Sequence, residues 1–217
     1  DFNGTDSYTF TLEDEGGLTV TESITVTVDP INDDPTGNDA DLIVLEDEPF
    51  MGDLENLSDI NDVDGDTLVY TFPANSAGGG LIQQLGTGPN FRYTSLENYN
   101  SDVDGDDSFI TSIDDQNGGV IYITVNIVVN AVNDAPIAEN GPMVLDEDIV
   151  SSIDLADLIS DVDGDNLSIS ISASTSNGIL VNSSGTIYEF TPTLNYYGTD
   201  LFKYTVDDGN GLSAEGT

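Results

Sequence analysis

The pentapeptide Asp-Val-Asp-Gly-Asp occurs three times in the chain, at residues 62–66, 102–106 and 161–165. Each copy places carboxylates at its first, third and fifth positions, where they repel one another unless a cation lies between them. Clustered oxygen ligands on a flexible loop favour Ca²⁺, which binds six to eight oxygens at about 2.3–2.6 Å. The glycine permits a sharp turn of the backbone. The spacing therefore predicts calcium binding, with candidate ligands Asp62, Asp64, Asp66, Asp102, Asp104, Asp106, Asp161, Asp163 and Asp165.

An EF-hand loop also begins with spaced aspartates, so this alternative must be tested. That loop requires a bidentate glutamate at its twelfth position and a helix on each side. The twelfth positions are Pro73, Ile113 and Ser172 in the three copies. The sequence therefore excludes an EF-hand. The remaining alternative for each pentapeptide is a solvated acidic turn, since Asp and Gly both favour turns.

Composition supports cation binding. The chain has 42 acidic and 2 basic residues, for a formal net charge of −40. This charge opposes compaction and repels nucleic acid and anionic membranes, yet 37% of the residues are hydrophobic, unlike a disordered acidic tail. Bound Ca²⁺ that neutralises clustered acids explains both facts, and a halophile-type acidic surface is the alternative. Neither nucleic-acid binding nor membrane insertion is expected.

The chain contains no Cys and no His. This excludes disulfides, zinc sites built from Cys and His, and mechanisms that need a histidine base or a cysteine nucleophile. Carboxylates suitable for glycoside hydrolysis are abundant, but abundance is not a site, and there is no Trp for a sugar-binding cleft. We therefore expect a protein that is not an enzyme.

Several short sequences recur with a period of about 100 residues, a normal domain size. Asn-Asp-x-Pro recurs at 32–35 and 133–136, and an acidic triplet recurs at 46–48 and 146–148. Gly-Thr-Asp precedes an aromatic segment at 4–6 and 198–200. The register predicts the C-terminal part of one repeat at 1–34, a complete repeat at 35–134 and a repeat lacking its last strand at 135–217, so that the chain is expected to be a piece of a longer protein.

The secondary structure is predicted to be almost entirely β-strand, without a helix. Five segments are rich in β-branched or aromatic residues, mostly in alternation, and turn residues separate them. About seven short strands in each repeat predict an antiparallel β-sandwich with Greek-key connections. The Asn-Asp-x-Pro segments are predicted to be stiff linkers. The five strand segments are 24–28, 68–72, 120–129, 167–171 and 201–206.

In this order, the junction, the acidic triplet, Asp-Val-Asp-Gly-Asp and Gly-Thr-Asp resemble the bacterial cadherin-like tandem repeats of large secreted adhesins and biofilm matrix proteins. The resemblance covers essentially the whole chain. It implies an all-β fold of tandem cadherin-like (Ig-like) Greek-key β-sandwiches, an extracellular or cell-surface location, and Ca²⁺ between successive domains that makes the string rigid. One departure is the copy at 102–106, which is an insertion before Asp107.

Further ligand candidates follow from the repeats and the resemblance. The junction residues are expected to supply oxygens to calcium, with a simple Asx-Pro turn as the alternative. In the acidic triplets, the first and third residues of an extended strand share a face and could bind together, with a solvated charge run as the alternative. An aspartate also precedes each aromatic strand. These candidates are Asn32, Asp33, Asn133, Asp134, Glu46, Glu48, Asp146, Asp148, Asp6, Asp107 and Asp200.

The function predicted from the sequence is a calcium-binding structural repeat of an extracellular adhesin or matrix fibre. The alternatives are a module that binds cell-surface glycans or proteins, and an accessory segment of a secreted enzyme. Self-association is also predicted, because Ile24–Val28 of one copy could complete the last repeat of another by strand addition. Such a contact would propagate a head-to-tail filament, and a continuous tandem array is the competing arrangement.

Overall fold

The computed structural model describes residues 2–217. The chain divides into two compact units, Asp1–Ala131 and Val132–Thr217. Each unit has its own cluster of buried hydrophobic residues. Within the described residues, no helix is both long and apolar enough to cross a membrane.

The first unit begins with a hairpin of two long strands, β1 (Gly4–Glu13) and β2 (Thr19–Val28). Nearly every residue of both strands is exposed. The cross-strand register places Tyr8 opposite Ile24 and Leu12 opposite Val20, so apolar side chains collect on one face. The opposite face carries Thr and Ser. The hairpin therefore presents an uncovered apolar face.

The rest of the first unit is a two-sheet sandwich. One sheet has the order β3-β9-β8-β5 and the other has the order β4-β7-β6. The elements are β3 (Ala40–Leu45), β4 (Phe50–Asp53), α1 (Leu54–Ser58), β5 (Val69–Thr71), β6 (Leu81–Gln84), β7 (Asn90–Thr94), α2 (Ser101–Asp104), β8 (Asp107–Asp114) and β9 (Val120–Asn130).

Alternating burial along β8 and β9 forms the core of this sandwich. Val125, Ile127 and Val129 of β9 are at most 1% exposed. Across the sandwich, Phe91 of β7 meets Phe109 of β8 with ring centroids 5.4 Å apart, an edge-to-face contact that suits aromatic quadrupoles. The expected β-sandwich is thus present, although β3 pairs with β9 in parallel and not antiparallel.

The second unit repeats this two-sheet architecture. Its sheets have the orders β11-β15-β14 and β13-β16-β17, and β10 pairs with β12. The core contains Ile153, Leu155, Tyr188, Phe190, Tyr204 and Val206. The strands are β10 (Ile137–Ala138), β11 (Ser151–Asp154), β12 (Ile159–Ser160), β13 (Ser168–Ala173), β14 (Gly178–Ser184), β15 (Ile187–Pro192), β16 (Lys203–Asp207) and β17 (Ser213–Gly216).

Short helical segments occur where the sequence predicted none. They are α1, α2 and a 3₁₀ turn at Ala156–Leu158. Local caps explain the two α-helical turns: Asp53 Oδ1 accepts from Glu55 N at 3.1 Å, and Asn100 Oδ1 accepts from Val103 N at 3.2 Å. Such caps satisfy N–H groups that a helix leaves free at its start. Turns this short carry no hydrophobic periodicity, which explains why the pattern did not predict them.

Candidate calcium-binding loops

The loop at 62–66 brings its three aspartates together. Asp62, Asp64 and Asp66 each offer one carboxylate oxygen, and these oxygens lie within 4.8 Å of one another. Asp62 Oδ1 accepts from the backbone N of Asp64 at 3.0 Å and of Asp66 at 3.1 Å, which curls the loop around that carboxylate. Gly65 has a φ of +77°, a conformation that costs glycine little.

The loop at 161–165 has the same geometry in the second unit. Its three carboxylates again offer oxygens within 4.8 Å of one another. Asp161 Oδ1 accepts from the backbone N of Asp163 at 2.9 Å and of Asp165 at 3.2 Å. Gly164 has the same φ of +77°. The same pentapeptide therefore adopts the same conformation in both units, and in each it brings three carboxylates together.

One oxygen in each loop stands out. Asp62 Oδ2 and Asp161 Oδ2 are buried and accept no hydrogen bond within the described structure. A buried carboxylate oxygen without a donor is costly, particularly beside two other carboxylates. A cation among the three side chains would remove both costs, so the donor set fits a hard divalent ion that prefers oxygen ligands.

The Asn-Asp-x-Pro linker preceding each sandwich is attached to the loop of the same unit. The backbone N of Asp33 donates to Asp64 Oδ2 at 2.8 Å. In the second unit, the backbone N of Asp134 donates to Asp163 Oδ2, also at 2.8 Å. Pro35 and Pro136 are both buried. The structure thus brings the junction residues predicted from sequence to the loops predicted from sequence.

A second attachment uses two carboxylates that sequence reasoning missed, Asp115 and Asp208. Asn32 Nδ2 donates to Asp115 Oδ2 at 2.8 Å, and Asn133 Nδ2 donates to Asp208 Oδ2 at 2.8 Å. Both aspartates are at most 2% exposed. A recurring signal existed, because Asp14, Asp115 and Asp208 each precede a glycine-containing turn in corresponding positions.

Hydrogen bonds keep both of these buried carboxylates ionised. The Asn32 amide is the main cause that lowers the pKa of Asp115; burial opposes it, and N–H groups of residues 117–119 add to the lowering. Burial is the largest influence on Asp208, but Asn133 and three backbone N–H groups together outweigh it and lower the pKa. Accepting several hydrogen bonds in the charged form favours ionisation.

Gly119 lies directly against the first linker. A Cβ at this position would approach Asp34 Oδ1 to 2.7 Å and Asp34 Cα to 2.9 Å, and would also overlap Asp115 Oδ2. Only glycine permits this close approach of the β8–β9 turn to the linker.

The third pentapeptide adopts a different conformation. Residues 101–104 form α2, whose cap Asn100 is described above, and Asp102, Asp104 and Asp106 are exposed. Asp104 Oδ2 accepts from Asn100 N at 3.3 Å, and Tyr99 OH donates to the carbonyl of Gly105 at 2.9 Å. Among the described residues, only the loops at 62–66 and 161–165 gather three carboxylates.

The acidic triplets form turns, which corrects the expectation of extended strands. Asp47 has a φ of 62° and Asp148 a φ of 64°, so the alternation on which shared faces depend does not apply. Glu46 is buried at 1% exposure whereas Glu48 is exposed. Asp146 and Asp148 are both exposed, and Asp148 Oδ1 accepts from Asn195 N at 2.6 Å.

The aspartates that precede the aromatic strands accept hydrogen bonds from the protein itself. Asp107 is buried, and its carboxylate accepts from Ser76 Oγ, from Gly78 N at 2.6 Å and from Tyr93 OH at 2.7 Å.

Asp200 accepts from the N–H groups of Ser176, Asn177 and Leu201. Burial opposes these bonds, which nevertheless lower the pKa of Asp200. Asp6 is exposed, and its Oδ1 accepts from Ser7 N at 2.7 Å. In the two sandwiches, Asp107 and Asp200 therefore each hold a neighbouring loop in place through hydrogen bonds to its backbone N–H groups.

The comparison with protein families gives a match over most of the chain. Residues 32–128 and 133–217 each match the family described as bacterial Ig domain. The two matched segments begin at the two Asn-Asp-x-Pro linkers. No curated protein sequence matches the chain.

Two solved cadherin structures share the fold of this chain at low sequence identity. A protocadherin gamma B7 structure with extracellular cadherin domains 1–4 matches with a TM-score of 0.53 and 16% identity, covering 98% of this chain and 56% of that one. The protocadherin gamma B4 extracellular domain gives a TM-score of 0.53 and 16% identity over 97% and 36%. An endo-fucoidan hydrolase of glycoside hydrolase family 107 gives a TM-score of 0.38 and 16% identity, covering 97% of this chain, which spans 33% of the hydrolase.

Proposed function

Because the chain belongs to the bacterial Ig domain family, we propose that its tandem domains are calcium-binding structural repeats of an extracellular adhesin or matrix fibre. The observation that supports calcium most directly is the pair of buried oxygens without donors, Asp62 Oδ2 and Asp161 Oδ2. Each lies in a loop whose other two carboxylates are within reach of the same ion.

The choice of ion follows from the donor atoms. With no Cys and no His in the chain, the thiolate and imidazole ligands preferred by zinc and copper are absent. The loops offer carboxylates on a flexible backbone, an arrangement better matched to Ca²⁺ than to the strict octahedron of Mg²⁺. Asp62, Asp64 and Asp66 would hold one ion, and Asp161, Asp163 and Asp165 would hold another.

Calcium at these loops would stiffen the linkers. Asp64 and Asp163 accept hydrogen bonds from linker N–H groups, so ordering their carboxylates also orders the chain that enters each sandwich. A linker fixed at its loop has fewer accessible conformations, which costs conformational entropy. The free energy of ion binding would offset this cost. Stiff linkers suit repeats that act as spacers outside the cell.

The test is a calcium titration by calorimetry on the 217-residue chain, after removal of divalent ions. We expect two specific sites in the wild type and one in Asp62→Asn or Asp161→Asn. Each of these changes keeps the size of the side chain and removes its charge. The double variant should lose both sites.

Asp102→Asn is the matched control. It changes the first aspartate of the same pentapeptide where that sequence forms α2, and we expect both calcium sites to remain. Absence of calcium binding above the level seen with Mg²⁺ would refute the proposal. A loss of binding in Asp102→Asn as large as in Asp161→Asn would show that the ligands are wrongly assigned.

A further inference from the structure

Arg92 is a cation without an acidic partner in a chain that is dominated by acids. The chain has 2 basic residues against 42 acidic ones. The other basic residue, Lys203, has its Nζ 3.8 Å from Oε2 of Glu215, and this is the only ion pair among the described residues. The guanidinium of Arg92 is therefore available to a carboxylate of another molecule, with which it can form charge-assisted hydrogen bonds.

Arg92 lies at the centre of the outer face of the sheet β4-β7-β6. It stands opposite Met51 of β4 on one side and Gln83 of β6 on the other. Leu81 shares this face with Gln83, because alternate residues of a strand point to the same side. Met51 is 60% exposed and Leu81 is 46% exposed. We call this surface the Arg92 face; arginine and methionine are both enriched in protein interfaces.

Glu189 occupies the equivalent position in the second unit. It lies on β15, the middle strand of the sheet β11-β15-β14, opposite Ser152 on one side and Val181 on the other. Val181 is 56% exposed, and Ile179 on the same face is 65% exposed. We call this surface the Glu189 face. The two faces thus share one layout, a charged residue on the middle strand beside exposed apolar side chains, and their central charges are opposite.

Repulsion between two copies of a chain with net charge −40 opposes any contact between them. At physiological ionic strength the Debye length is about 8 Å, so distant acids repel weakly while an opposite pair in contact still attracts. Each set of three strands contains one further acidic residue, Asp53 or Asp154. Both accept hydrogen bonds within their own unit, Asp53 from Glu55 N and Asp154 from Thr186 Oγ1. The two faces therefore carry little of the charge that keeps copies apart.

We infer that the Arg92 face of one copy binds the Glu189 face of a second copy of this chain, with an ion pair between Arg92 and Glu189 at its centre. Packed sheets lie about 10 Å apart, a gap that an arginine and a glutamate reaching toward each other can span. The exposed apolar side chains of the two faces would pack around the ion pair and leave water.

Each copy carries one face of each kind, so the contact joins two unlike surfaces. The inference does not rest on calcium ligation at 62–66 or 161–165. It is tested at one fixed calcium concentration and at physiological ionic strength, so that it and the proposed function can fail separately.

Charge reversal tests the pair directly. Sedimentation velocity of the 217-residue chain should show association of the wild type that increases with concentration. Arg92→Glu and Glu189→Arg should each weaken this association by more than about tenfold, because like charges then face each other across the contact. A wild type that stays monomeric at every concentration overturns the inference.

Mixing the two variants supplies the decisive result. In an equimolar mixture, the Arg92 face of each variant meets an opposite charge on the Glu189 face of the other, so association should return to the wild-type level. Recovery would also show that both variants are folded. Loss of association in each variant alone without recovery in the mixture would show that Arg92 and Glu189 are not partners, which overturns the inference.

Lys203→Glu is the matched control for net charge. It changes the charge of the chain by the same amount as Arg92→Glu, but Lys203 lies on β16 in the other sheet of the second unit. We expect it to associate as the wild type does. A loss as large as that of Arg92→Glu would attribute the effect to total charge and would overturn the assigned contact.

A pair of isoleucine variants tests the apolar part of the contact. Ile179→Ser removes an exposed apolar side chain from the Glu189 face and should weaken association several-fold. Ile110→Ser is the control, because Ile110 is similarly exposed, at 59% against 65%, but lies on β8 in the sheet β3-β9-β8-β5. It should leave association unchanged. Equal weakening by the two changes would show that the contact does not use the Glu189 face.

Discussion

At the scale of single residues, Asp115 and Asp208 have the clearest physical role. Each is a buried carboxylate that binds a linker asparagine on one oxygen and backbone N–H groups of its own turn on the other. Such a group is stable only while it is ionised, since its partners are all donors. The attachment of each linker is therefore tied to the charge of one side chain.

This dependence predicts a specific response to acid. The pKa of Asp208 is lowered from its ordinary value of 3.8, so its contribution to folding is complete above that value. The contribution is lost as the pH falls through the lower pKa of the folded state. Asp208→Asn should therefore destabilise the second unit at pH 7, and its difference from wild type should shrink below about pH 4.

Urea unfolding of the wild type and of Asp208→Asn, at several pH values and without calcium, measures this difference. Asp207→Asn is the neighbouring control, because Asp207 is exposed and should show little effect at pH 7. A difference between wild type and Asp208→Asn that grows on acidification would contradict the assigned pKa direction.

Gly119 gives a second prediction at this scale. Gly119→Ala would push a methyl group against the backbone of Asp34 and the carboxylate of Asp115. Overpacking of this kind costs about 1–3 kcal/mol, so the midpoint of urea unfolding of the first unit should fall. Gly88→Ala is the control, since a Cβ there meets nothing within 4 Å, and its effect should stay within about 0.5 kcal/mol. Equal stability of the two variants would show that the linker moves aside freely.

At the scale of elements, the alternation of apolar and polar residues predicted where strands lie, but it did not predict how each strand pairs with its neighbours. Residues 120–129 were predicted as a strand and form β9 at Val120–Asn130, because a two-residue period is a local property. The parallel pairing of β3 with β9 was not predictable from alternation, which is the same for either strand direction. The strand expected at 201–206 begins two residues later, at Lys203, because its pairing with β13 begins there.

The candidate site shows the same division between local and distant information. Spacing within the pentapeptides predicted the three converging aspartates of two loops. It could not reveal that Asn32 would bind Asp115, which is 83 residues away, or that Asn133 would bind Asp208, 75 residues away. The helical copy at 102–106 shows that five identical residues do not determine their own conformation when a cap precedes them.

That cap provides a prediction at the scale of elements. Asn100→Ala removes the side chain that accepts from Val103 N, and loss of an N-cap costs about 1 kcal/mol. The cost should appear as a small decrease in the urea midpoint of the first unit, with calcium stoichiometry unchanged. A gain of a calcium site in this variant would instead indicate that α2 suppresses a third binding loop.

At the scale of the whole molecule, a net charge of −40 must be reconciled with two small hydrophobic cores. Two physical explanations make different predictions. General screening by salt weakens repulsion among all acids and depends on ionic strength. Specific binding acts only through an ion that the folded loops prefer, and stabilises in proportion to the logarithm of its concentration. A halophile-type surface corresponds to the first explanation and calcium-binding loops to the second.

Thermal unfolding separates these explanations when CaCl₂, MgCl₂ and NaCl are compared at one ionic strength. A thousandfold excess of Ca²⁺ over Kd adds about 4 kcal/mol for one site, and each kcal/mol shifts the Tm of a 60–100-residue domain by about 4–8 °C. We therefore expect Ca²⁺ to raise the Tm of each unit by more than about ten degrees over NaCl, and excess EDTA to reverse the gain. Asp161→Asn should remove it from the second unit alone, since distant sites act independently. If the Tm follows ionic strength whatever the cation, screening explains the acidic composition and the loops at 62–66 and 161–165 are solvated turns.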